Sequence, residues 1–277
     1  MRRTRADTIV IYILTVAIIL IVVYPLFISL NVSLKDNRDI ITKPMALASK
    51  LKFDNYKNAI MKGNLLTSYK NSFIITGCTL VSVIALSSMA SYIFARSHFS
   101  FRLKNVLFFY VILGMMIPVA VLLIPLFKML NFMGLYNTRI GVIMVYTAKS
   151  IPFATFILTD FMRSIQADFF EAAEMDGAKE LAKFIRIAVP LVMPAIATAA
   201  IFTFRDVWND FFMPLIFLRD PRIQTLPVGL SRFMGQFENQ WGILYAGLNL
   251  VIFPLLLMYY LLSKQFIKGL TSGALKA

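Results

Sequence analysis

Six long apolar runs dominate this sequence and constrain its fold more than any other feature. They cover residues 8–30, 72–95, 106–130, 140–162, 187–211 and 242–266. A helix needs about 20 apolar residues to cross a hydrocarbon core roughly 30 Å thick, and each run reaches that length. Hydrophobic residues make up 59% of the 277 residues and charged residues only 15%, which excludes an ordinary water-soluble domain. The sequence therefore predicts an all-α integral membrane protein with six transmembrane helices and both termini on one side.

The residues that carry charge and chemistry exclude several classes of protein. The net charge is +14, but Lys and Arg lie mainly between the apolar runs, where they anchor topology and contact membrane lipid, so nucleic-acid binding is not indicated. Cys78 and His98 are each the only residue of their type, which leaves no disulfide framework and no usual zinc site. His98 has no carboxylate beside it in sequence, and no filter motif or pore-lining charge ring is visible. A membrane-embedded enzyme and an ion channel are therefore disfavoured.

Prolines are concentrated in and at the ends of the apolar runs. Eight of the eleven prolines lie there: Pro25, Pro118, Pro125, Pro152, Pro190, Pro194, Pro214 and Pro254. A proline inside a helix removes a backbone hydrogen bond, and neighbouring helices in a membrane can satisfy the freed carbonyl group. The sequence therefore predicts a bundle of bent helices.

Residues 163–186 form a polar segment between the fourth and fifth apolar runs. Nine of these 24 residues are charged, so the segment cannot lie in lipid. Strong helix formers precede Gly177, which can adopt the left-handed conformation that ends a helix, and an apolar stripe begins again at Leu181. The pattern predicts a helix, a glycine turn and a second helix. Such a hairpin could dock on a soluble partner, or it could be an ordinary amphipathic connector.

The same segment resembles the EAA loop of permease subunits in ABC importers. The matching residues are Glu171, Ala172 and Ala173, followed by Asp176 and Gly177, with a Val-Pro pair at 189–190. Further segments resemble signatures of the maltose-type carbohydrate subfamily: SLK at 33–35, YIFAR at 92–96, MMIP at 115–118, WN at 208–209, LPVGL at 226–230 and GLTSGALK at 269–276. Two positions depart from the family, which commonly has proline in place of Gln166 and glycine in place of Ala277.

The resemblance implies a fold, an orientation and a set of partners. The fold is that of a type I ABC importer permease, with a first helix and extracytoplasmic segment at 1–70, a core of five helices at 71–266 and a cytoplasmic tail at 267–277. Lys and Arg divide evenly between the two sides, so only the cytoplasmic EAA loop of the family places both termini in the cytoplasm. The implied partners are a second permease subunit, two ATPase subunits and an extracytoplasmic solute-binding protein, all at a prokaryotic plasma membrane.

The sequence also predicts which chemistry lies on other polypeptides. No G-x-x-x-x-G-K-[S/T] motif for binding phosphate occurs, so this chain is expected not to be an enzyme and to bind no cofactor of its own. ATP and Mg would be bound by the partner ATPase. The resemblance implies a sugar or oligosaccharide as substrate, with a polyol or glycerol phosphate as the alternative.

Two further sets of residues are candidates for binding. Trp208, Asn209 and Asp210 combine an aromatic face with hydrogen-bonding groups and could contact a sugar, although Trp208 could instead belong to the interfacial belt, with Arg205 paired to Asp206 or Asp210. The connection at 219–241 is much longer than the usual 2 to 8 residues between packed helices. The resemblance implies that it contacts the solute-binding protein, with candidates Leu226, Pro227, Gly229 and Phe233. The alternative is a loop packed back on the helix ends.

Overall fold

The computed structural model describes residues 5–62, 65–96, 98–236 and 239–274, and over these residues it consists of helices joined by short connections. The α-helices are α1 (Arg5–Ser33), α2 (Asn37–Thr42), α3 (Asp54–Lys62), α4 (Leu65–Ala95), α5 (Lys104–Leu113), α6 (Val119–Phe132), α7 (Arg139–Arg163), α8 (Asp168–Met175), α9 (Glu180–Lys183), α10 (Val189–Leu191), α11 (Met193–Trp208), α12 (Phe212–Phe217), α13 (Leu226–Gln236) and α14 (Trp241–Ala274). A 3₁₀ turn at Gly114–Met116 extends α5, and a π-helical turn at Phe184–Ala188 joins α9 to α10.

Among the described residues, four helices are long and apolar enough to cross a membrane as single elements: α1 from Val10, α4, α7 and the first part of α14. Two helix pairs meet the same test but are broken, Lys104–Met116 with Val119–Phe132 and Glu180–Leu191 with Met193–Trp208. When each pair counts as one span, the total is six. The predicted all-α fold with six spans is thereby confirmed.

The two breaks coincide with prolines. At the first break the chain bends by 103°, and Ile117 has an extended backbone (φ −85°, ψ 115°) because the following Pro118 disfavours the helical conformation. At the second, the chain bends by 74° next to Val192, and Pro194 lies in the first turn of α11, where a missing N–H group is tolerated. The prediction of bent helices is confirmed there, whereas other prolines lie inside continuous helices: Pro25, Pro125, Pro152 and Pro254.

The described residues of Met1–Leu66 and Gly229–Phe253 form one compact unit, and those of Thr67–Val228 and Pro254–Ala277 form a second. The first unit contains a buried polar cluster that explains the SLK segment. Lys35 is 2% exposed, and its Nζ donates to the carbonyl oxygens of Lys43 and Pro44, both at 3.1 Å. Asn55 Nδ2 donates to the backbone oxygens of Ser33 and Lys35 at 2.8 and 2.9 Å. These hydrogen bonds hold the segment that follows α1 in a folded form.

In the second unit, α7 packs against α5, α6, α11 and α12. One apolar cluster surrounds Tyr146 near the beginning of α7, and a second surrounds Leu158 and Met162 near its end. Between them, small side chains of Ala154 and Ala199 allow α7 and α11 to approach closely. Helix α7 therefore extends from the apolar cluster around Tyr146 to the cluster around Leu158 and Met162.

The last helix, α14, includes residues 267–274 of the segment predicted as a tail. The final part of that prediction, residues 275–277, lies outside the described residues.

Candidate functional site

The polar segment at 163–186 forms the predicted helical hairpin. Helix α8 is followed by Gly177, whose φ of +77° is the left-handed conformation expected from the sequence. The Gly177 N–H donates to the Glu174 carbonyl and the Ala178 N–H to the Ala173 carbonyl, both at 2.9 Å, so the last carbonyl groups of α8 are satisfied. Helix α9 begins at Glu180, after the turn.

The predicted coupling residues share the outer surface of this hairpin. Glu171, Ala172, Asp176 and Gly177 are exposed, and Ala173 is half-buried. Met175 is 90% exposed, a large value for an apolar side chain. Phe170, on the opposite side of α8, is buried and belongs to the apolar cluster around Leu158 and Met162. The hairpin is thus anchored on one side and leaves its EAA residues available on the other.

An ion-paired cluster stabilises the inner side of the hairpin. The Lys183 side chain is only 6% exposed, and its Nζ lies 2.9 Å from both Glu174 Oε2 and Glu180 Oε1. His98 Nε2 lies 3.5 Å from Glu180 Oε2. The sequence placed no carboxylate beside His98, but the fold brings Glu180 to it from 82 residues further along the chain. The spacing of Glu180 and Lys183, three residues apart on a helix, predicts their pairing, but no local signal identifies His98 and Glu174 as their further partners.

A cavity of about 690 Å³ lies beside α6, α7 and α11. Its apolar lining is formed by Val119, Ala120, Leu123, Phe212 and Met213, and its polar lining by Lys149, Arg205, Asp206, Asn209 and Asp210. Two of the three predicted substrate-path residues, Asn209 and Asp210, therefore line this cavity. The two cations and two carboxylates of the lining balance in formal charge, so the cavity offers charged hydrogen-bonding groups with no net charge.

Trp208 lies behind this cavity, with its side chain packed among aromatic rings. It is 1% exposed, stacks on Phe204 at 5.3 Å between centroids, and meets the rings of Phe73 and Tyr69 edge to face at 4.9 and 5.8 Å. It is not among the residues that line the cavity. The indole ring therefore supports the end of α11 rather than presenting a free face.

The charged residues of the cavity are held by specific contacts. Arg205 pairs with Asp206, with Nη2 and Nε at 2.8 and 3.1 Å from Oδ1, which is one of the two pairings considered from the sequence. Asp210 Oδ1 accepts from the backbone N–H of Phe212 at 2.9 Å and so fixes the beginning of α12. Lys149, in the middle of α7, was not selected from the sequence as a binding residue. The signal that could have found it is the presence of a lysine inside a membrane span.

The connection at 219–241 is a folded element, because it contains α13. Its first part is tied to the helix ends: Asn71 Nδ2 donates to the carbonyl oxygens of Arg222 and Gln224 at 2.9 and 3.0 Å, and the Leu226 N–H donates to Ser72 Oγ at 2.7 Å. The Arg222 guanidinium, 2.8 Å from Asp220 Oδ2, holds the pKa of that carboxyl group below its usual range. Residues 222–226 therefore pack back on the helix ends, which is the alternative considered from the sequence.

The binding-protein contact candidates occupy mainly the inner side of α13. Leu226 and Phe233 are 0% and 1% exposed, Gly229 is buried and Pro227 is half-buried. The outer side of the described helix presents Ser231, Arg232, Met234 and Gln236. The candidates are therefore mostly buried, and a docking role for the segment as a whole stays a prediction.

Comparison with known proteins assigns the chain to a family. Residues 63–271 match the family described as binding-protein-dependent transport system inner membrane component. The chain is 32% identical over 255 residues to the probable ABC transporter permease protein YurM of Bacillus subtilis (strain 168), covering 92% of this chain and 84% of that protein. It is 34% identical over 253 residues to the melibiose/raffinose/stachyose import permease protein MelC of the same organism, covering 91% of each. This chain belongs to the family of binding-protein-dependent transport permeases.

A solved structure supports the same fold. A chain of a bacterial ABC transporter involved in the import of the acidic polysaccharide alginate superposes with a TM-score of 0.82 at 23% identity, covering 96% of this chain and 99% of that one. The expected type I ABC importer permease fold is thereby confirmed, and the chain is a multi-pass membrane subunit of an importer.

Proposed function

We propose that this chain is one of two permease subunits that form the path for a sugar or oligosaccharide through a prokaryotic plasma membrane. Relatives support the substrate class. They include MelC, named above, and the arabinooligosaccharides transport system permease protein AraQ of Bacillus subtilis (strain 168), which is 31% identical over 261 residues. The observation that carries the proposal is the EAA hairpin, which is anchored through Phe170 and presents Glu171, Ala172 and Gly177 at its surface.

In this proposal the hairpin transmits the motion of two separate ATPase subunits to the membrane helices. Those subunits bind ATP and Mg and carry out hydrolysis, because this sequence has no phosphate-binding loop of its own. A solute-binding protein delivers the sugar from outside. Closure of the ATPase pair would move the hairpin as a rigid element and switch the cavity between the two sides of the membrane.

The sugar path in this subunit is assigned to the cavity beside α6, α7 and α11. Asn209, Asp210 and Lys149 offer the amide, carboxylate and ammonium groups that bind sugar hydroxyls, and the apolar lining suits the carbon faces of a sugar ring. Trp208 does not line the cavity, and its ring stacks on Phe204 and stabilises the end of α11.

Variants of the hairpin test this function in the complete importer reconstituted in liposomes. Gly177→Pro fixes φ near −65° and cannot form the turn, while Glu171→Lys reverses an exposed charge. Both are expected to abolish ATP-driven uptake of melibiose, raffinose or arabino-oligosaccharides while the chain still inserts. Asp54→Lys, an exposed charge reversal at the beginning of α3, serves as the control and should leave uptake unchanged. Wild-type uptake by both hairpin variants would refute the coupling role.

A further inference from the structure

The YIFAR segment at 92–96 contacts the hairpin directly, through Tyr92 and Arg96. Tyr92 lies in the last turn of α4 and Arg96 follows directly after it, and more than 60 residues of chain separate α4 from the hairpin. We infer that these two residues form a clamp, called here the α4 clamp, which fastens the hairpin to α4 and carries its movement into that span. The inference rests on the proposed coupling role of the hairpin.

The polar half of the clamp holds α9. Tyr92 Oη donates to Glu180 Oε2 at 2.9 Å, and the same carboxylate is paired through Oε1 with Lys183. Lys183 also bonds Glu174 at the end of α8. One hydroxyl group on α4 is thus connected through Glu180 and Lys183 to both helices of the hairpin.

The aromatic half of the clamp holds α8 and the π-helical turn. Arg96 Cζ lies 3.5 Å from the centroid of the Phe170 ring, a close cation–π contact. The Tyr92 ring lies 6.2 Å from Phe170 and 5.3 Å from Phe184 between centroids, and Tyr92 is 5% exposed. Contacts from α4 therefore reach the hairpin before and after the Gly177 turn.

Arg96 is half-buried, and its guanidinium group lies against an aromatic ring of the hairpin. Its Nε is buried without a hydrogen-bond partner among the described residues, and the face of Phe170 is the contact that the guanidinium makes instead. The flat guanidinium group on the Phe170 ring therefore links the end of α4 to α8 through a contact that depends on the shape and charge of an arginine side chain.

The clamp has a mechanical consequence for the unit that contains it. Helices α7 and α11 continue directly into the hairpin region through the chain, but α4 does not. Near the same end, Ser91 Oγ donates to the Thr155 carbonyl oxygen at 3.1 Å and joins α4 to α7. These contacts link α4 to both α7 and the hairpin. A displacement of the hairpin would therefore also move α4.

Tyr92→Phe tests the clamp because it removes one hydroxyl group and keeps the ring. In the complete importer reconstituted in liposomes, uptake and ATP hydrolysis are measured together, and the amount of assembled complex is determined. The expected result is a normal amount of complex in which sugar transported per ATP falls about tenfold, as for a lost hydrogen bond to a charged group. Tyr110→Phe, at an exposed tyrosine of α5, is the matched control and should behave as wild type.

Two further variants separate the clamp from simple packing. Glu180→Ala combined with Tyr92→Phe should be no worse than Glu180→Ala alone, because the Tyr92 hydroxyl acts through the Glu180 carboxylate, which also pairs with Lys183. Arg96→Lys should lower the ratio of transport to hydrolysis, since an ammonium group does not reproduce the flat contact with Phe170. An unchanged ratio in Tyr92→Phe and Arg96→Lys, or equal losses of both activities with less complex recovered, would overturn the clamp. If Glu171→Lys and Gly177→Pro abolish uptake in the same assay, the proposed function stands and only the clamp fails.

Discussion

Tryptophan at position 208 has the chemistry of sugar stacking, but its ring is enclosed by Phe204, Phe73 and Tyr69. Neighbouring residues carry the polar groups that reach the cavity. Asp210 has two roles there, since its carboxylate lines the cavity and also accepts the Phe212 N–H that begins α12. Asn209 and Asp210 therefore present hydrogen-bonding groups to the cavity, whereas the neighbouring Trp208 stabilises the end of α11.

The two roles of Asp210 can be separated by substitution. Asp210→Asn keeps an oxygen acceptor for the Phe212 N–H and removes the charge, whereas Asp210→Ala removes both. We expect Asp210→Asn to lower uptake with an unchanged melting temperature. Asp210→Ala should also cost about 1 kcal/mol of stability, the usual net value for a lost hydrogen bond. Uptake and thermal unfolding of the purified complex measure the two effects, and normal uptake by Asp210→Asn would remove this carboxylate from the sugar path.

Lys149 provides a second test at the residue scale. Lys149→Met retains a long apolar side chain and removes the ammonium group from the cavity. We expect the sugar concentration for half-maximal uptake to rise about tenfold, the effect of losing one hydrogen bond to a charged group. Lys128→Met, at an exposed lysine of α6 outside this cavity, is the matched control. Equal behaviour of the two variants would contradict a role for Lys149 in binding sugar.

At the scale of elements, the break in the third span distinguishes this fold from a simple bundle. A continuous helix would separate residues 106 and 132 by about 39 Å at 1.5 Å per residue. The 103° bend predicts a distance well below that value. Spin labels on cysteines replacing the exposed Val106 and Phe132, in a Cys78→Ser background, allow the distance to be measured by pulsed electron paramagnetic resonance. A separation near the straight-helix value would contradict the break at Pro118.

Docking of α13 on the solute-binding protein can be tested by crosslinking. Its outward residues, Arg232, Met234 and Gln236, are replaced singly by cysteine in the Cys78→Ser background. If the segment docks on the solute-binding protein, these cysteines should crosslink to cysteines on that protein when ATP is bound and hydrolysis is blocked. The same pairs without ATP are the control. A complex that transports normally but gives no crosslink from any of the three positions would show that α13 is not a docking element.

At the scale of the whole molecule, run length and local chemistry predicted a large part of the fold. The six spans follow from the length of apolar runs, and the hairpin follows from its charges and from Gly177. The angles of the breaks were not predictable, because a proline shows where a helix ends but not the direction in which the chain continues. Nor were contacts such as Leu226 N–H to Ser72 Oγ, which joins residues 154 positions apart. Hydrophobic periodicity reports local burial, so long-range partners such as Tyr92 and Glu180 leave no trace in it.

We propose that this chain conducts sugar only as the coupled permease subunit of an ATP-driven importer. The most direct measurement is uptake of labelled melibiose, raffinose or arabino-oligosaccharide into liposomes containing this chain, its companion permease, the ATPase subunits and the solute-binding protein. We expect uptake of at least one of these sugars that requires ATP and every component, and that is lost in Gly177→Pro. Uptake that continues without ATP or without this chain would contradict it.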